Sequence, residues 1–401
     1  MPKDQSPLSV PGFPRLAVSY AVNELGDNLG VVALALLVLD GTGSALATAA
    51  LFLAARFVPA FVAPWLTARL DRRPVNRSLP ALYALEALVF AALAVLAAEG
   101  AWLPAVLVLA AVDGTLALTG RGISRGAVAA LLTPHGALRR GNALINVAFA
   151  VTSALGPILG AVLVAGAGAS AALAVDAASF AIIAVVLVVG RDLPSAAPHE
   201  SQPWGERVRE GFATVARQPL LRTLVAAQAL AFIFFFLVIP IEVVYAIETL
   251  DAGDIGYGAL LASWGVGLVI GSAAFARLRD RSTTSLIVGS TLLVGVGYLG
   301  LAAAPGIVLA CVASVVGGTG NGVQWVSVLT AVQESLTDAL QARVVGLVES
   351  VGAAAPGVGF LLGGALSAIW SPRIAYLSAG AGVLVVAAVM ARRLRGLSPQ
   401  G

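Results

Sequence analysis

Charged side chains interrupt the first two apolar runs of the sequence. Glu24 and Asp27 lie inside the first run, and Arg56 lies inside the second. If both runs are membrane helices, Asp27 and Arg56 each lie roughly 12 or 13 residues from the same membrane face, which gives them a similar depth. Charges inside membrane helices are costly and are candidates for function. We therefore expect Asp27 to pair with Arg56 and to exchange a proton or receive a cationic substrate; a static ion pair is the alternative.

Other polar and aromatic residues inside apolar runs are further candidates. Asp113 is a candidate for proton coupling together with Glu24, Asp27 and Arg56, whereas a structural interpretation is preferred for Glu86 and Asp176. Side chains that could line a substrate cavity are Asn23, Gln228, Phe235, Glu242, Asn321, Gln324 and Trp325. The alternative for the amides is hydrogen bonding between helices, and for the rings it is packing or contact with lipid.

Residue counts argue against several kinds of catalytic site. The one lysine, Lys3, is not part of a Walker A phosphate loop. The one cysteine, Cys311, allows neither an intramolecular disulfide nor a cysteine-based zinc site. Residues 122–126 match the Gly-x-Ser-x-Gly nucleophile pattern, but that chemistry needs a preceding strand and this stretch ends an apolar run. We predict no enzymatic activity, no catalytic residue and no metal site.

The elements that must position these residues are long apolar runs. Of the 401 residues, 59% are apolar and 11% are charged, and the mean hydropathy is +0.94. Soluble domains are about 25% charged, and a soluble fold of this length has too little interior for so much apolar surface. This composition argues against soluble enzymes, nucleic-acid-binding proteins and disordered proteins. Twelve runs are long enough to cross about 30 Å of hydrocarbon: 14–39, 44–68, 79–98, 102–121, 142–166, 170–190, 221–247, 256–276, 284–303, 306–328, 345–369 and 374–391.

The arginines predict the orientation of these spans. With both termini in the cytoplasm, 22 of the 24 basic residues face the cytoplasm, Arg121 among them. The longest polar stretch, 191–220, separates an N-terminal six-helix bundle, 1–190, from a C-terminal one, 221–401. This stretch contains an amphipathic segment, which predicts a helix on the inner membrane surface or an ordinary linker helix.

An internal repeat relates the two halves of the chain. Thr119-Gly120-Arg121-Gly122 recurs 200 residues later as Thr319-Gly320-Asn321-Gly322, and Gly156-Pro157 corresponds to Pro356-Gly357 at the same displacement. Both copies have the same predicted orientation, which indicates a parallel repeat. The sequence therefore predicts an all-α integral membrane fold in which twelve transmembrane helices form a 6+6 pseudo-repeat.

Several motifs along the chain carry a family resemblance. They are Glu24-Leu25-Gly26-Asp27, residues 68–73 (Ala-Arg-Leu-Asp-Arg-Arg) with Arg77, residues 154–160 (Ala-Leu-Gly-Pro-Ile-Leu-Gly), and the stretches 257–267 and 346–350. In their order and spacing they resemble the major facilitator superfamily, and within it the drug/proton antiporter branch that includes macrolide-efflux and enterobactin-exporter-like proteins. Two positions depart from the family pattern, because Thr67 and Ala161 stand where the family has glycine.

The resemblance implies roles for these motifs. Asp71 would cap or pair at a cytoplasmic helix interface that holds the outward-facing state, with Arg72, Arg73 and Arg77 in the adjoining charge network. The span-five motif, Gly156, Pro157 and Gly160, would shape the packing of that span against its neighbour. The substrate cavity would lie between the two halves near the middle of the membrane, with access alternating as the halves rock.

The buried charges and the resemblance together favour a secondary active transporter. We expect it to export a small amphipathic compound (a drug, or a macrolide-like or siderophore-like molecule) across the cytoplasmic membrane of a bacterium in exchange for protons. The proton gradient would supply the energy without a cofactor. Expected partners are the substrate and the lipid bilayer, not nucleic acid, and we expect a monomer. The alternatives are a facilitator or importer of a small metabolite on the same fold, and a non-transporting membrane sensor or assembly protein.

Overall fold

The protein is described by a computed structural model. It describes residues 6–70, 73–100, 102–190, 193, 217, 219–275, 277–278, 281–335 and 338–395. Regular secondary structure in this part of the chain is helical. The chain divides into a first unit, Met1–Gly43 with Ala50–His199, and a second unit, Ser44–Ala49 with Glu200–Gly401. The amphipathic segment predicted after Pro203 lies outside the described residues.

The N-terminal part of the chain forms six helices. They are α1 (Phe13–Thr42), α2 (Ala45–Phe52), α3 (Val58–Leu70), α4 (Val75–Ala98), α5 (Leu103–Leu132) and α6 (Leu138–Val189). A π-helical turn, Leu53–Phe57, joins α2 to α3 within one crossing. Prolines occupy the first turns of α1 and α5, where the missing N–H would have no helical partner. Gly43 ends α1 in the left-handed conformation that glycine adopts without strain.

Helix α6 contains two membrane crossings. Its 52 residues would extend about 78 Å if straight, more than twice the thickness of the hydrocarbon layer. Gly168 interrupts it with φ 84° and ψ 164°, which are not helical angles. This residue lies between the predicted spans 142–166 and 170–190, so the structure confirms the division of this region into two arms.

The C-terminal part of the chain repeats this pattern. Its long helices are α7 (Pro219–Val238), α8 (Gly253–Phe275), α9 (Thr283–Ala303), α10 (Ile307–Ser335), α11 (Asp338–Ile369) and α12 (Pro372–Arg395). After α7 the chain passes through a 3-10 turn (Ile239–Ile241), one α turn (Glu242–Val244) and a π turn (Tyr245–Thr249). Pro240 inside the apolar run 221–247 predicts a break of this kind, because proline supplies no N–H for the helical ladder, and the break occurs.

The described helices account for twelve crossings. Ten of these helices are long and apolar enough to span a membrane. One of the ten, Arg140–Val189, contains the two arms of α6, so the ten helices make eleven crossings. The twelfth crossing is the shorter apolar segment Ala355–Ile369 in α11. This count confirms the predicted all-α fold.

Small residues allow the helices to approach closely. A Cβ atom at Gly160 of α6 would lie 2.9 Å from the carbonyl oxygen of Leu29 on α1, so only glycine fits there without a shift. Gly271 of α8 lies against the backbone of Thr319 on α10 in the same way. The hydrophobic effect between helices is weak in lipid, so close packing of this kind stabilises their association.

Candidate functional site

The first unit contains a buried ion-pair cluster formed by α1 and α5. Arg121 Nε donates to Glu24 Oε1 at 2.6 Å, and Arg121 Nη2 donates to Glu24 Oε2 at 3.1 Å. The same Nη2 atom lies 3.3 Å from Asp27 Oδ2. Glu24 and Asp27 are one helical turn apart, so both carboxylates face α5. One guanidinium is thus shared by two acids, and the bond to Glu24 has the strong two-point geometry.

Asparagine side chains on α1 support the cluster. Asn23 Nδ2 donates to Asp27 Oδ2 at 3.2 Å, and Asn28 Nδ2 donates to the backbone oxygen of Glu24 at 2.6 Å. Asp27 Oδ1 accepts no hydrogen bond from the part of the chain that the structure describes. The Glu24 side chain is 1% exposed and that of Asp27 is 12% exposed. Asp27 is therefore the more accessible of the two acids, and its Oδ1 is buried without a donor from the described residues.

A cavity of about 120 Å³ adjoins this cluster within the first unit. Four charged residues contribute to its wall, Asp27, Arg56, Asp113 and Arg121, and the apolar part is formed by Val31, Leu34, Ala55, Pro59, Gly114, Ala117 and Leu118. Asp113 Oδ1 accepts no hydrogen bond from the described residues. The cavity is thus apolar for most of its wall, with charges of both signs concentrated among its polar groups.

Arg56 reaches the cavity from the π-helical turn between α2 and α3. Its side chain is exposed, and none of the ion pairs found among the described residues includes it. Gly114 lets α5 pack against this turn, because a Cβ atom there would collide with the backbone oxygen of Ala55. Single π turns occur frequently at functional sites. Arg56 is consequently available to a ligand in a way that Arg121 is not.

The predicted pairing of Asp27 with Arg56 is wrong. Both residues lie at the same cavity, as their similar depth suggests, but Asp27 forms its ion pair with Arg121. Depth along a helix does not determine which neighbour a side chain faces, and the π turn changes the direction of Arg56. Arg121 is the site residue that the sequence interpretation missed.

The sequence places Arg121 among the cytoplasmic arginines because the apolar run ends there. The structure continues α5 to Leu132, about three turns further. Spacing contained a usable signal, since Asp113, Ala117 and Arg121 follow at intervals of four and share one helix face.

The second unit carries a neutral residue at the position that corresponds to Arg121. In the repeat, Asn321 of α10 stands where α5 has Arg121, and it is half-buried. Gln228 of α7 and Gln324 of α10 line a void of about 10 Å³, which holds at most about one water molecule. Gln324 Nε2 donates to Thr291 Oγ1 at 2.7 Å. The ion pairs found among the described residues therefore lie in the first unit.

The remaining cavity candidates also lie in the second unit. Phe235 packs against Trp264 with ring centroids 6.0 Å apart, and Trp325 is exposed and lies 6.4 Å from Phe232. Glu242 is half-buried in the turn that follows Pro240.

The two motifs taken from the family resemblance differ in how far the structure describes them. Asp71 and Arg72 lie outside the described residues, and the neighbouring Arg73 and Arg77 are exposed. The span-five motif lies in α6 against α1: a Cβ atom at Gly156 would lie 2.5 Å from Asn28 Cβ, and Pro157 is buried within the helix. The motif therefore packs α6 against α1 beside Asn28, the residue that follows Asp27 in the chain.

Comparison with protein families identifies the chain. The model of the family described as transmembrane secretion effector, MFS_3, matches residues 3–397. The chain belongs to this family. It is thus a membrane transporter of the major facilitator superfamily. A comparison with curated protein sequences found no match.

Solved structures show that the transporter has the major facilitator fold. It is similar to the nucleoside transporter NupG (TM-score 0.71, 14% identity, 96% of this chain and 99% of that one). It is also similar to a POT family transporter in complex with a thioalcohol-conjugated peptide (0.75, 11%, 98% and 100%). A third similar structure is a bacterial homologue of the human lysosomal transporter Spinster (0.67, 12%, 95% and 94%). At these identities the likeness concerns the fold alone.

The charged cluster gives this fold specific chemical capacities. Two carboxylates that share one guanidinium carry one negative charge in excess, so the group can bind a proton without leaving Arg121 unpaired. Arg56 and Asp113 offer the cavity a donor group and an acceptor group. The site can therefore bind a proton and a polar part of an amphipathic molecule at adjoining positions.

Proposed function

We propose that the transporter exports a small amphipathic compound from the bacterial cytoplasm in exchange for protons, by alternating access. The observation that carries this proposal is the sharing of Arg121 between Glu24 and Asp27 at the edge of a cavity. An exchanger needs an acid that proton and substrate occupy in turn. Asp27 meets this requirement, since it lines the cavity and has an oxygen without a hydrogen-bond partner among the described residues.

The proposed cycle follows from the charges around Asp27. When Asp27 binds a proton from the outer side, Arg121 stays paired with Glu24 and the cavity wall loses one negative charge. A substrate group held by that charge is then released, because binding of the two ligands is linked and reciprocal. The proton leaves to the cytoplasm when a new substrate enters. Each proton moving down a membrane potential of 100 mV supplies about 2.3 kcal/mol.

Two further parts of the proposal rest on general features. The family description refers to secretion, which supports outward transport. The arginine distribution supports a cytoplasmic location for both termini. We propose a bacterial cytoplasmic membrane protein that acts as a monomer, needs no cofactor beyond the proton gradient and has no nucleic-acid partner.

Transport in liposomes tests the proposal. Purified protein would be reconstituted, and flux of cationic drugs, macrolides and siderophores measured with and without an imposed pH difference. We expect uphill movement of at least one compound against inward proton flow. Asp27→Asn should abolish this accumulation and weaken substrate binding in a protein that still folds, because it removes the charge that would hold the substrate. Glu99→Gln, at an exposed residue beyond the end of α4, should behave as wild type.

The alternatives give different results in the same assay. Equilibration of substrate that ignores the pH difference would indicate a facilitator and contradict exchange. Accumulation in the direction of proton flow would indicate an importer. Absence of flux for every compound by a folded protein would favour a sensor or assembly role. Accumulation that survives in Asp27→Asn would contradict the role of Asp27 alone.

A further inference from the structure

A buried carboxyl group on α4 has no hydrogen-bond partner. Glu86 is fully buried, and neither Oε1 nor Oε2 accepts a hydrogen bond from the described residues. It lies between Tyr83 and Phe90, three residues after one and four before the other, so all three share a helix face. The rings of Tyr83 and Phe90 both pack against Phe180, with centroids 6.2 and 5.4 Å away. Glu86 thus lies on a mainly aromatic surface, and neither of its oxygens meets a donor from the described residues.

A second carboxyl group lies opposite on the second arm of α6. Asp176 is 1% exposed, and its Oδ2 accepts no hydrogen bond from the part of the chain that the structure describes. Its Oδ1 accepts one from Ser179 Oγ at 3.2 Å. Asp176 lies one turn before Phe180, the residue that packs on the Glu86 face of α4.

Helix α1 provides a glycine surface for the Asp176 carboxyl. A Cβ atom at Gly26 would collide with Asp176 Oδ1, and one at Gly30 would lie 2.8 Å from Oδ2. The same Cβ atom at Gly30 would lie 2.7 Å from Phe90 Cε1. The carboxyl therefore fits against α1 only because both positions are glycine. Gly26 precedes Asp27 directly in the chain, and Gly30 lies three residues after it.

The charged groups facing these two acids do not neutralise them. Asp27 of α1 and Asp113 of α5 act electrostatically on both Glu86 and Asp176, and Asp176 adds to the negative surroundings of Glu86. Arg121, a cation that acts on Glu86, is already bonded to Glu24 and Asp27. Ser179 is the one donor that the described residues supply to the two acids. Two buried anions with so few donors would be strongly unfavourable, whereas two neutral acids are compatible with these surroundings.

We propose that Glu86 and Asp176 form an interior proton-binding site, separate from the cavity, in which both carboxyl groups are protonated at neutral pH. The site depends neither on the direction of transport nor on the substrate. Because Asp176 rests on the α1 glycines next to Asp27, a shift of α1 changes the surroundings of both acids together. Movement of α1 would therefore connect the interior site to the ion-pair cluster.

Infrared spectroscopy of the purified protein in lipid tests this inference without a transport assay. Protonated carboxyl groups give a separate C=O stretching band that shifts in deuterated water. We expect wild type to show this band at neutral pH, and expect Glu86→Gln and Asp176→Asn each to remove one component of it. Glu99→Gln, at an exposed acid outside the site, should leave the band unchanged.

Thermal unfolding supplies a second measurement. Glutamine resembles a neutral glutamic acid, so Glu86→Gln should keep the wild-type unfolding midpoint or raise it, whereas loss of an ionised and partnered group would lower it. If a variant does not fold, ¹³C labelling of the glutamate carboxyl carbons should shift the Glu86 component, and a Glu242→Gln background removes the contribution of Glu242, the half-buried glutamate of the second unit.

Two results would overturn the inference. One is a band that keeps its full intensity in both folded variants, or no ¹³C-sensitive component in wild type. The other is a band that disappears when sodium or potassium ions are added at constant pH, since a metal cation and not a proton would then be the ligand.

Discussion

Arg121 and Glu24, 97 residues apart in the chain, form a two-point ion pair of 2.6 and 3.1 Å between α5 and α1. Asp27 joins the same guanidinium at 3.3 Å. The ion pair joins α5, which also carries Asp113, to α1, which carries both acids. Since Glu24 is almost entirely buried, its charge has little access to water and depends on Arg121.

Arg121→Gln should destabilise the folded protein. It leaves the carboxylates of Glu24 and Asp27 without their cation, and breaking a buried ion pair on one side costs about 3–5 kcal/mol. We expect the lower end of this range, because the Arg121 side chain is 24% exposed. The thermal unfolding midpoint in detergent should fall clearly relative to Arg392→Gln, which changes an exposed arginine near the end of α12.

A double variant separates charge from packing. Arg121→Gln with Glu24→Gln should recover part of the lost midpoint, since two neutral amides can bond to each other where an unpaired carboxylate could not. If the double variant is as unstable as the sum of the single variants, Arg121 acts through its volume and the charge explanation fails.

Arg56→Gln should affect transport more than stability. No acid among the described residues forms an ion pair with Arg56, so its removal leaves no unpaired partner. We expect an unfolding midpoint close to that of wild type and a reduced rate of substrate flux in liposomes. A large fall in the midpoint with unchanged flux would show that Arg56 is a structural residue.

Gly160→Ala should weaken the contact between α6 and α1. The added methyl group meets the Leu29 oxygen at 2.9 Å and its Cα at 3.1 Å, so the helix backbones must separate. Overpacking of this kind costs about 1–3 kcal/mol. The matched control is Gly126→Ala in α5, where a Cβ atom meets nothing within 4 Å, and its unfolding midpoint should equal or exceed that of wild type.

Gly168→Ala should destabilise the turn between the two arms of α6 through the backbone alone. A Cβ atom there meets nothing within 4 Å, but φ is +84°, which costs a residue with a side chain about 1–3 kcal/mol. Gly166→Ala, two residues earlier in equally open space, should not lower the unfolding midpoint. Equal midpoints for the two variants would contradict a strained turn at Gly168.

The sequence was sufficient to predict the crossings but not the partners within them. Apolar runs are set by the thickness of the bilayer, so runs such as 142–166 and 170–190 already separate the two arms of α6. Pro240 predicts its break for a similarly local reason. Both predictions depend on residues that are neighbours in the chain.

The ion-pair cluster depends instead on distant residues. Whether Asp27 meets Arg56 or Arg121 is decided by the rotation of three helices, and the π turn before α3 alters that rotation at Arg56 itself. Hydropathy also ended the fourth span at Arg121, because a charge lowers the local average even when another helix neutralises it. The sequence favours a structural interpretation of Glu86 and Asp176, since nothing in it shows that their oxygens lack donors.

The π turn at Leu53–Phe57 makes the cavity sensitive to the length of the chain. Such a turn closes i→i+5 bonds and so holds one residue more than the α-helix around it. Deleting a single residue there would let α2 and α3 join as one regular helix whose side chains outside the turn keep nearly the same facing, while Arg56 within the turn would lose the position that the extra residue gives it. A one-codon deletion could thus preserve the crossing and still remove the Arg56 guanidinium from the cavity.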